Sequence, residues 1–300
     1  MKILDIKLGY TCNNLCKFCI QGNKRDLYEN QSKEEIKKIT KQGSGKYERI
    51  VFTGGEVTIR NDIFELVKFA KECGYKTIAI QSNGRMFSYF DFCQKIIDAG
   101  ADNFTLAIHG STPEIHDGLT RAVGSFEQTL QGILNLKKLR QKIYTNTVVT
   151  RINYKDMPNI AKMLSDIKVN SYQFAFMHIN SSIQKDIKLV EEIVPRYKEI
   201  KPFAEEGLQI GIDANVKSKV EAFPFCTLNE KYHAHISENY MPNVFIYEDK
   251  KLSNFNQMKK DGAKLKGERC RECKFFERCE GPWSDYPRIF GFNEFKIIKR

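Results

Sequence analysis

Residues 8–22 read LGYTCNNLCKFCIQG, and three cysteines fall within eight positions of this stretch: Cys12, Cys16 and Cys19. A disulfide uses two thiols and a structural zinc ion uses four ligands, whereas the nearest histidine in the sequence is His109. Three thiolates in one short loop suit three corners of a cubane iron–sulfur cluster, whose fourth iron then keeps an open position. The alternative is a zinc ion whose fourth ligand is remote in the sequence.

The composition bounds the class of protein. The chain has 300 residues, 41% of them hydrophobic, which suits one large domain or a domain with an appendage. No apolar run approaches the roughly 20 residues that span a bilayer, and the start of the chain lacks the apolar segment of a secretion signal. Nine cysteines without such a signal predict a cytoplasmic protein with no membrane association. The net charge of +11 is dispersed among acidic residues, so no nucleic-acid partner is expected.

Short β-branched runs alternate with amphipathic helical patterns over the first two-thirds of the chain. Strands are predicted at residues 3–8, 49–53, 77–81, 103–108, 143–150 and 172–178. Six strands separated by helices predict an α/β fold with a parallel sheet, as an open or partial (βα)6 barrel of the TIM type. Functional groups are then expected on the loops that follow the strands, where the cysteine loop and the segments TGGE, QSNG and HGST lie.

Two of these loops carry groups suited to ligand binding. In TGGE, Gly54 and Gly55 let the backbone approach a ligand closely, and exposed carbonyls with the Glu56 carboxylate suit an ammonium group. In QSNG, Ser82 and Asn83 suit a ribose or a carboxylate. Each segment also has a simpler interpretation, the first as a Gly-Gly turn before a helix and the second as a polar turn.

The alternation fades after about residue 183, and one helix is predicted in KDIKLVEEIVPRYKEI before an irregular segment. We therefore predict a barrel domain over residues 1–182 and a small metal-stapled extension over residues 183–300. The extension holds four cysteines that suit either a structural zinc ion or a complete four-thiolate iron–sulfur cluster, namely Cys226, Cys270, Cys273 and Cys279. Cys73 and Cys93 lie on helical patterns beside apolar neighbours and are predicted to be core thiols.

The cysteine loop, with Phe18 before its last cysteine and its place after the first strand, resembles the signature loop of the radical S-adenosylmethionine (radical SAM) enzymes. The resemblance implies a [4Fe-4S] cluster on the three cysteines, with its open iron chelated by the amino and carboxylate groups of S-adenosylmethionine. One-electron reduction, by a partner such as ferredoxin or flavodoxin, then cleaves the cofactor to methionine and a 5′-deoxyadenosyl radical. That radical abstracts hydrogen from a substrate, while the protein orients the cofactor and excludes side reactions.

Other segments extend the resemblance. TGGE resembles the family's GGE motif, which holds the methionine amino group, although Val57 stands where a proline commonly follows. QSNG resembles TNG-like segments of relatives, and in AIHGSTPEIHDGLTR the resemblance implies that Arg121 meets the cofactor carboxylate. No catalytic residue is assigned beyond the cluster. The implied cofactor contacts are Phe18, Gly54, Gly55, Glu56, Ser82, Asn83, His109, Arg121 and Asn153.

The second cysteine set resembles the SPASM and twitch extensions of radical SAM barrels, which hold auxiliary clusters. A full SPASM domain carries more cysteines, so four of them imply a twitch-like extension with a single auxiliary [4Fe-4S] cluster. Full ligation of that cluster favours electron transfer or a structural role over substrate binding.

The sequence as a whole predicts a radical SAM enzyme. Relatives with such extensions often modify ribosomally made peptides, so a peptide or protein substrate is the first expectation. Biosynthesis of a small molecule or cofactor is the alternative. The chain begins at its first predicted strand, with no room for an N-terminal peptide-recognition domain, which weakens the expectation of a peptide, although a separate recognition protein could compensate. A non-enzymatic iron–sulfur electron carrier is the competing class, although a carrier needs no open iron beside a Gly-Gly-Glu turn.

Overall fold

The computed structural model describes residues 1–21, 24–179, 183, 185–240 and 242–299. These residues form an α/β fold with a mostly parallel sheet, consistent with the predicted partial barrel. Two compact units interleave along the sequence: the first contains Met1–Ile108, Thr112–Thr145 and Pro242–Phe255, and the second contains His109–Ser111, Asn146–Met241 and Asn256–Arg300. Residue 182, the predicted end of the barrel domain, lies outside the described residues. The division into 1–182 and 183–300 stays a prediction.

The first unit is built on parallel strands with helices between them. Its strands are β1 (Lys2–Lys7), β2 (Arg49–Thr53), β3 (Thr77–Ser82), β4 (Asn103–Ala107), β8 (Asn243–Glu248) and β9 (Lys251–Asn254). Its helices are α1 (Lys24–Leu27), α2 (Lys33–Gly43), α3 (Ile63–Glu72), α4 (Phe90–Asp98), α5 (Pro113–Thr120) and α6 (Ser125–Lys138).

The strands of this unit lie in the order β4-β3-β2-β1-β8-β9, and all neighbours are parallel except the hairpin of β8 and β9. Alternate strand residues are apolar and fully buried, as at Ile6, Phe52 and Ile80. Ser32 begins α2 and accepts a hydrogen bond from the Glu35 N–H at 3.2 Å, the capping interaction that the sequence SKEE favours. The parallel arrangement brings the C-terminal ends of β1 to β4 to one edge, where the candidate loops begin.

The second unit contains the end of β5 (Lys142–Val149), which begins in the first unit, with β6 (Ser171–Phe176) and β7 (Lys217–Glu221). Its strands lie in the order β7-β6-β5, and β6 runs parallel to β7. Its helices are α7 (Met157–Ile167), α8 (Ile187–Ile193), α9 (Tyr197–Asp213), α10 (Phe255–Met258), which starts at the last residue of the first unit, and α11 (Asp285–Phe290). An aromatic core forms where Phe176 stacks on Tyr197, with ring centroids 4.3 Å apart, and Tyr286 meets Phe176 edge-on.

The six predicted strands are confirmed to within two residues at each end. The sequence does not predict β7, β8 or β9, because charged and polar residues occupy alternate positions of β7 and turns surround the other two. The single helix predicted in residues 185–200 is wrong: α8 ends at Ile193 and α9 begins at Tyr197. Pro195 lies between them, and a proline has no N–H and restricts the residue before it. Within the described ranges, no helix is both long and apolar enough to cross a membrane.

Candidate cofactor site and cysteine clusters

The cysteine loop after β1 is fixed by backbone hydrogen bonds. The Leu8 N–H donates to the Thr53 carbonyl at the end of β2, at 2.8 Å. Farther along, the Leu15 N–H donates to the Thr120 carbonyl at the C-terminal end of α5, at 2.9 Å. The loop is therefore tied to two of the elements from which the other candidate residues come.

The thiols of Cys12, Cys16 and Cys19 are half-buried and close enough to interact electrostatically. Burial, and then the neighbouring thiols of Cys19 and Cys12, raise the pKa of Cys16 to about 12. Burial also raises the pKa of Cys12, against a hydrogen bond that its Sγ accepts from the Asn14 N–H at 3.4 Å. Phe18 lies buried between the last two cysteines of the loop. Thiols this resistant to ionisation become thiolates when a metal supplies the compensating charge, which fits three-point ligation of a cluster.

The TGGE turn lies against the backbone of the cysteine loop. The Gly55 N–H donates to the Gly9 carbonyl at 2.7 Å, and the Glu56 N–H donates to the Thr11 carbonyl at 2.8 Å. A Cβ at Gly54 would lie 2.5 Å from the Gly9 carbonyl oxygen, and one at Gly55 would lie 2.2 Å from the Thr11 carbonyl oxygen. Gly54 also has a φ of +137°. The cysteine loop itself therefore requires both glycines, a reason that the sequence alone does not reveal.

We expect Gly55→Ala to push the turn away from the cysteine loop, because the new methyl group would overlap the Thr11 carbonyl. The free energy of unfolding should fall by about 1–3 kcal/mol, the usual cost of overpacking. Urea unfolding measures the loss of stability. The iron content of the reconstituted protein measures how far the displaced turn disturbs the cysteine loop.

Gly118→Ala is the matched control, because Gly118 lies inside α5 with open space where its Cβ would stand. Alanine there should raise the stability by about 0.5–1 kcal/mol, since glycine is a poor helix former. Equal stabilities for the two variants would contradict the tight packing at Gly55.

The Glu56 carboxylate is buried and forms the centre of a hydrogen-bond network. Its Oε1 accepts from the Thr58 N–H at 3.0 Å, from the Thr58 hydroxyl at 2.5 Å and from the Ser82 hydroxyl at 2.8 Å. Its Oε2 accepts from the Asn83 N–H at 2.6 Å. Burial raises the pKa of Glu56, and these hydrogen bonds oppose that rise. The network joins the turn after β2 to the turn after β3.

Ser82 and Asn83 have partners within the protein. The Ser82 hydroxyl, which donates to the carboxylate, also accepts from the Gly84 N–H at 3.0 Å. The Asn83 side-chain amide donates to the Asn13 side chain in the cysteine loop at 2.6 Å. The turn that holds both residues thus lies beside the cysteine loop, as the parallel strands predict. Their contacts to a cofactor stay predictions.

Two residues at this site escape sequence reasoning. The Arg85 guanidinium donates to the side chains of Asn14 (3.0 Å) and Gln128 (2.6 Å), so it clamps the cysteine loop to α6. The Asn30 Oδ1 accepts from the Tyr10 N–H at 2.9 Å and fixes the start of the loop. Arg85 directly follows QSNG, and a cation at a strand end was a usable signal; no pattern marks Asn30.

Arg121 ends α5 in the left-handed conformation, with a φ of 55°. Its side chain is exposed and makes no hydrogen bond or ion pair with another residue of the described chain. Four residues earlier, Asp117 accepts from the N–H groups of Gly124 (2.6 Å) and Phe126 (2.8 Å) and so caps α6. The Thr120 carbonyl accepts from the Leu15 N–H, so the backbone before Arg121 adjoins the cysteine loop, and the contact of the Arg121 side chain with a cofactor stays a prediction.

His109 and Asn153 belong to the second unit and bond to each other. The Asn153 side chain donates to the carbonyls of His109 (2.8 Å) and Val148 (3.0 Å) and accepts from the Thr150 N–H at 2.7 Å. The Val148 N–H donates to the His109 Nδ1 at 3.2 Å. Their hydrogen bonds hold the turn after β5, and their predicted cofactor contacts stay predictions.

A cavity of about 430 Å³ adjoins the TGGE turn within the first unit. Its walls include Gly9 and Thr11 of the cysteine loop, Gly55 and Glu56 of the turn, and Arg60. The turn therefore opens onto space that a ligand can enter.

In the second unit, one cavity is lined by the four C-terminal cysteines, Cys226, Cys270, Cys273 and Cys279. Burial, and then the charges of the other three thiols, raise the pKa of Cys226 to about 12. Burial also raises the pKa of Cys279, against hydrogen bonds from the backbone of Phe225 and Gly281. Most of the remaining lining is apolar, including Leu265, Phe275, Phe292 and Phe295. The structure thus brings together the second cysteine set that the sequence grouped.

The four thiols of this set suit either of two kinds of metal group. No group of three or more His, Cys, Asp or Glu side chains, among the residues that the structure describes, is placed to hold a single metal ion. A structural zinc ion needs four ligands at about 2.0–2.3 Å from one centre. A [4Fe-4S] cubane also takes four thiolates, one on each iron, so four cysteines suit either group.

Residues 6–164 match the family model described as the radical SAM superfamily, and they include the cysteine loop, the TGGE turn and QSNG. The chain belongs to the radical SAM superfamily. Radical SAM enzymes use a [4Fe-4S] cluster and S-adenosylmethionine, so the predicted family, its first cluster and its cofactor are confirmed at this level.

Two curated radical SAM relatives illustrate the sequence similarity. A probable GTP 3′,8-cyclase of Saccharolobus islandicus (strain L.S.2.15 / Lassen #1) is 29% identical over 178 residues, which are 58% of this chain and 56% of that protein. An AdoMet-dependent heme synthase of Oleidesulfovibrio alaskensis is 31% identical over 171 residues, which are 55% of this chain and 43% of that protein. The chain spans about half the length of these relatives.

Solved structures resemble the fold over a longer range. Streptococcus suis SuiB bound to its precursor peptide SuiA superposes with a TM-score of 0.68 and 12% identity, over 95% of this chain and 72% of that one. The anSMEcpe protein with bound AdoMet and Cp18Cys peptide gives a TM-score of 0.63 and 14% identity, over 98% and 96% of the two chains. Identities this low concern the fold alone.

Proposed function

We propose that the chain is a radical SAM enzyme that reductively cleaves S-adenosylmethionine and uses the resulting 5′-deoxyadenosyl radical to abstract hydrogen from a substrate. The observation that carries the proposal is the packing of the TGGE turn against the cysteine loop, through the Gly9–Gly55 and Thr11–Glu56 hydrogen bonds. An electron carrier needs the thiolates but not a cofactor turn held at hydrogen-bond distance from them. The packing of the TGGE turn against the cysteine loop therefore favours an enzyme over a non-enzymatic electron carrier.

Each group at the site has a proposed task. The three thiolates of the cysteine loop ligate the cluster, and Phe18 excludes water beside them. The carbonyls of Gly54 and Gly55 hold the cofactor amino group, while Glu56 fixes the turn that presents them. The exposed Arg121 guanidinium, which has no protein partner within the described chain, takes the cofactor carboxylate.

The direct test is product formation. Reconstituted, reduced protein incubated with S-adenosylmethionine should yield 5′-deoxyadenosine and methionine in equal amounts. The electron paramagnetic resonance spectrum of the reduced cluster should change when the cofactor is added. Reproducible absence of both products, with the cluster intact and its spectrum unchanged, would leave the electron carrier as the better hypothesis.

We further propose that the C-terminal cysteines hold an auxiliary [4Fe-4S] cluster in a twitch-like extension. The cavity that all four thiols line supports a four-thiolate site, and the likeness to the twitch extensions of radical SAM barrels favours the cluster over zinc. Such a cluster, with four protein ligands, would accept or relay an electron rather than bind substrate.

Cys279→Ala should remove about four of the roughly eight irons per chain, because a cubane that loses one of its four thiolates is poorly held. Iron analysis after anaerobic reconstitution measures the loss. Cys73→Ala is the control, since Cys73 is a half-buried thiol at the end of α3 and should leave the iron content unchanged. Zinc instead of iron in the wild-type site would contradict the proposal.

For the substrate, we place a ribosomally made peptide first and a small molecule or cofactor precursor second. Support for the peptide comes from two folds that match over nearly all of this chain and whose structures include a peptide. The sequence relatives named above, a GTP cyclase and a heme synthase, favour the small molecule but match only about half of the chain. A reductant such as ferredoxin or flavodoxin, a separate peptide-recognition protein and a cytoplasmic location complete the proposal.

A further inference from the structure

A row of polar side chains crosses the three strands of the second unit. In this unit the residues of β6 and β7 alternate: Tyr172, Phe174 and Val220 are buried, whereas Gln173 and Glu221 are half-buried. A half-buried polar face on the strands of an α/β sheet is unusual unless something polar covers it, because such strands are normally apolar on both sides. This face therefore has the character of a binding surface.

Three side chains of this face form one hydrogen-bonded row. The Gln173 side-chain amide donates to the Glu221 Oε2 at 2.6 Å and to the Asn146 Oδ1 at 3.2 Å. Ala175, the residue paired with Glu221 in the strand register, has only a methyl group to fill the space beside the carboxylate. The row thus ends in the Glu221 carboxylate, beside the small side chain of Ala175.

The row retains unused hydrogen-bonding groups. Within the described chain, no partner exists for the Glu221 Oε1, the Gln173 Oε1 or the Asn146 Nδ2, and all three atoms are reached by solvent. Along the row, the oxygens of Glu221 and Gln173 are two free acceptors, and the amide nitrogen of Asn146 is a free donor. Two acceptors, one of them charged, match an ammonium or guanidinium group.

The charges around Glu221 leave it without a cation of its own. Two lysines and two further glutamates act on it electrostatically. Lys264 is buried and pairs with Glu238 and, at 3.0 Å, with Glu280, while Lys259 pairs with Glu280 at 2.7 Å. The cluster therefore holds three carboxylates against two ammonium groups.

Other titratable groups nearby do not supply the missing charge. Lys219, two residues before Glu221 on the same strand, forms no ion pair with any described residue, and burial lowers its pKa. Burial, with repulsion from Lys264, lowers the pKa of His178 to about 4, so this imidazole is neutral at pH 7. Burial, and then repulsion from Glu238, raise the pKa of Glu221 to about 7, so the charge of this carboxylate is not fully compensated, which suits a site that a cationic ligand completes.

We infer that the Asn146–Gln173–Glu221 row is a substrate subsite that binds a primary ammonium or guanidinium group. The inference deepens the proposed function and rests on it for the identity of the ligand as substrate. The ammonium group comes either from a lysine side chain in a peptide or from a free amine, and the same contacts would recognise both.

The test measures binding to the full-length, reconstituted protein at pH 8 and low salt, with three probes. They are Nα-acetyl-lysine methylamide, its neutral analogue Nα-acetyl-norleucine methylamide, and 1,5-diaminopentane. Wild-type protein should bind at least one amine about tenfold more tightly than the norleucine analogue. Tighter binding of the lysine derivative identifies a peptide as the source, and tighter binding of the diamine identifies a free amine.

Glu221→Gln should abolish the preference for the amines, and Gln173→Met, which removes an acceptor but no charge, should reduce it about threefold. Glu206→Gln is the matched control, because Glu206 is exposed on α9 and forms no hydrogen bond with the row. Equal affinities in wild type and Glu221→Gln, or an equal loss in Glu206→Gln, would overturn the inference. Amine binding by a protein that forms no 5′-deoxyadenosine would keep the site and refute its role in radical chemistry.

Discussion

Replacing Cys16 with alanine is expected to abolish cleavage of S-adenosylmethionine. Cys16 is the middle cysteine of the loop, and its thiol is the one whose pKa burial and both neighbouring thiols raise. Two remaining thiolates cannot hold three corners of a cubane, so the open iron that the cofactor needs is lost. Formation of 5′-deoxyadenosine should fall by at least about a hundredfold. Loss of a residue that only hydrogen-bonds a metal ligand already costs up to about a hundredfold in activity, and loss of the ligand itself should cost more.

The same variant separates the two cysteine sets. Iron content should fall from about eight to about four per chain, with a cubane signal remaining in the C-terminal site. Cys93→Ala is the control, because Cys93 is fully buried on α4 and lies outside both sets. Retention of cofactor cleavage by Cys16→Ala would remove the cysteine loop from the mechanism.

Local patterns were sufficient to predict the strands β1 to β6 and the grouping of the cysteines. Each of those strands is a short apolar run followed by a helix, and periodicity within about ten residues determines both. The pairing of β8 with β1 was out of reach, because Lys2 and Asn243 meet across nearly the whole chain. Such a contact depends on the packing of everything between the two strands, and no local pattern encodes it.

In the candidate site, too, local features could be predicted from the sequence and contacts between distant residues could not. The types and spacing of its cysteines and glycines were readable, because cluster ligation and close backbone approach restrict residue choice strongly. The partners of those residues were not readable. Asn30 and Arg85 act through ordinary hydrogen bonds, among them those to Tyr10 and Asn14, and almost any polar side chain in the sequence is capable of such bonds. The reason for Gly55 also emerged only when the Thr11 carbonyl was placed beside it.

Glu56→Ala is expected to have the largest effect on stability. The carboxylate accepts hydrogen bonds from two backbone N–H groups and two hydroxyls, contributed by Thr58, Ser82 and Asn83. Alanine leaves these donors without an acceptor in a buried place. Since each buried donor left unsatisfied costs about 1–3 kcal/mol and the hydroxyls can rotate to other partners, the free energy of unfolding should fall by about 3–5 kcal/mol. Urea unfolding at pH 7 measures the change.

Two further variants make the argument specific to the carboxylate. Glu56→Gln keeps one acceptor oxygen but turns an amide N–H toward a donor, so its stability should lie between those of wild type and alanine. Glu72→Ala, at the exposed end of α3, should unfold like wild type.

Because burial raises the pKa of Glu56 above its ordinary 4.5, the contribution of this group to stability should be greatest below pH 4.5 and decline as the pH rises. Glu56→Gln should lack that decline, and an unchanged pH profile would mean that the carboxylate ionises as freely in the folded protein as in the unfolded chain.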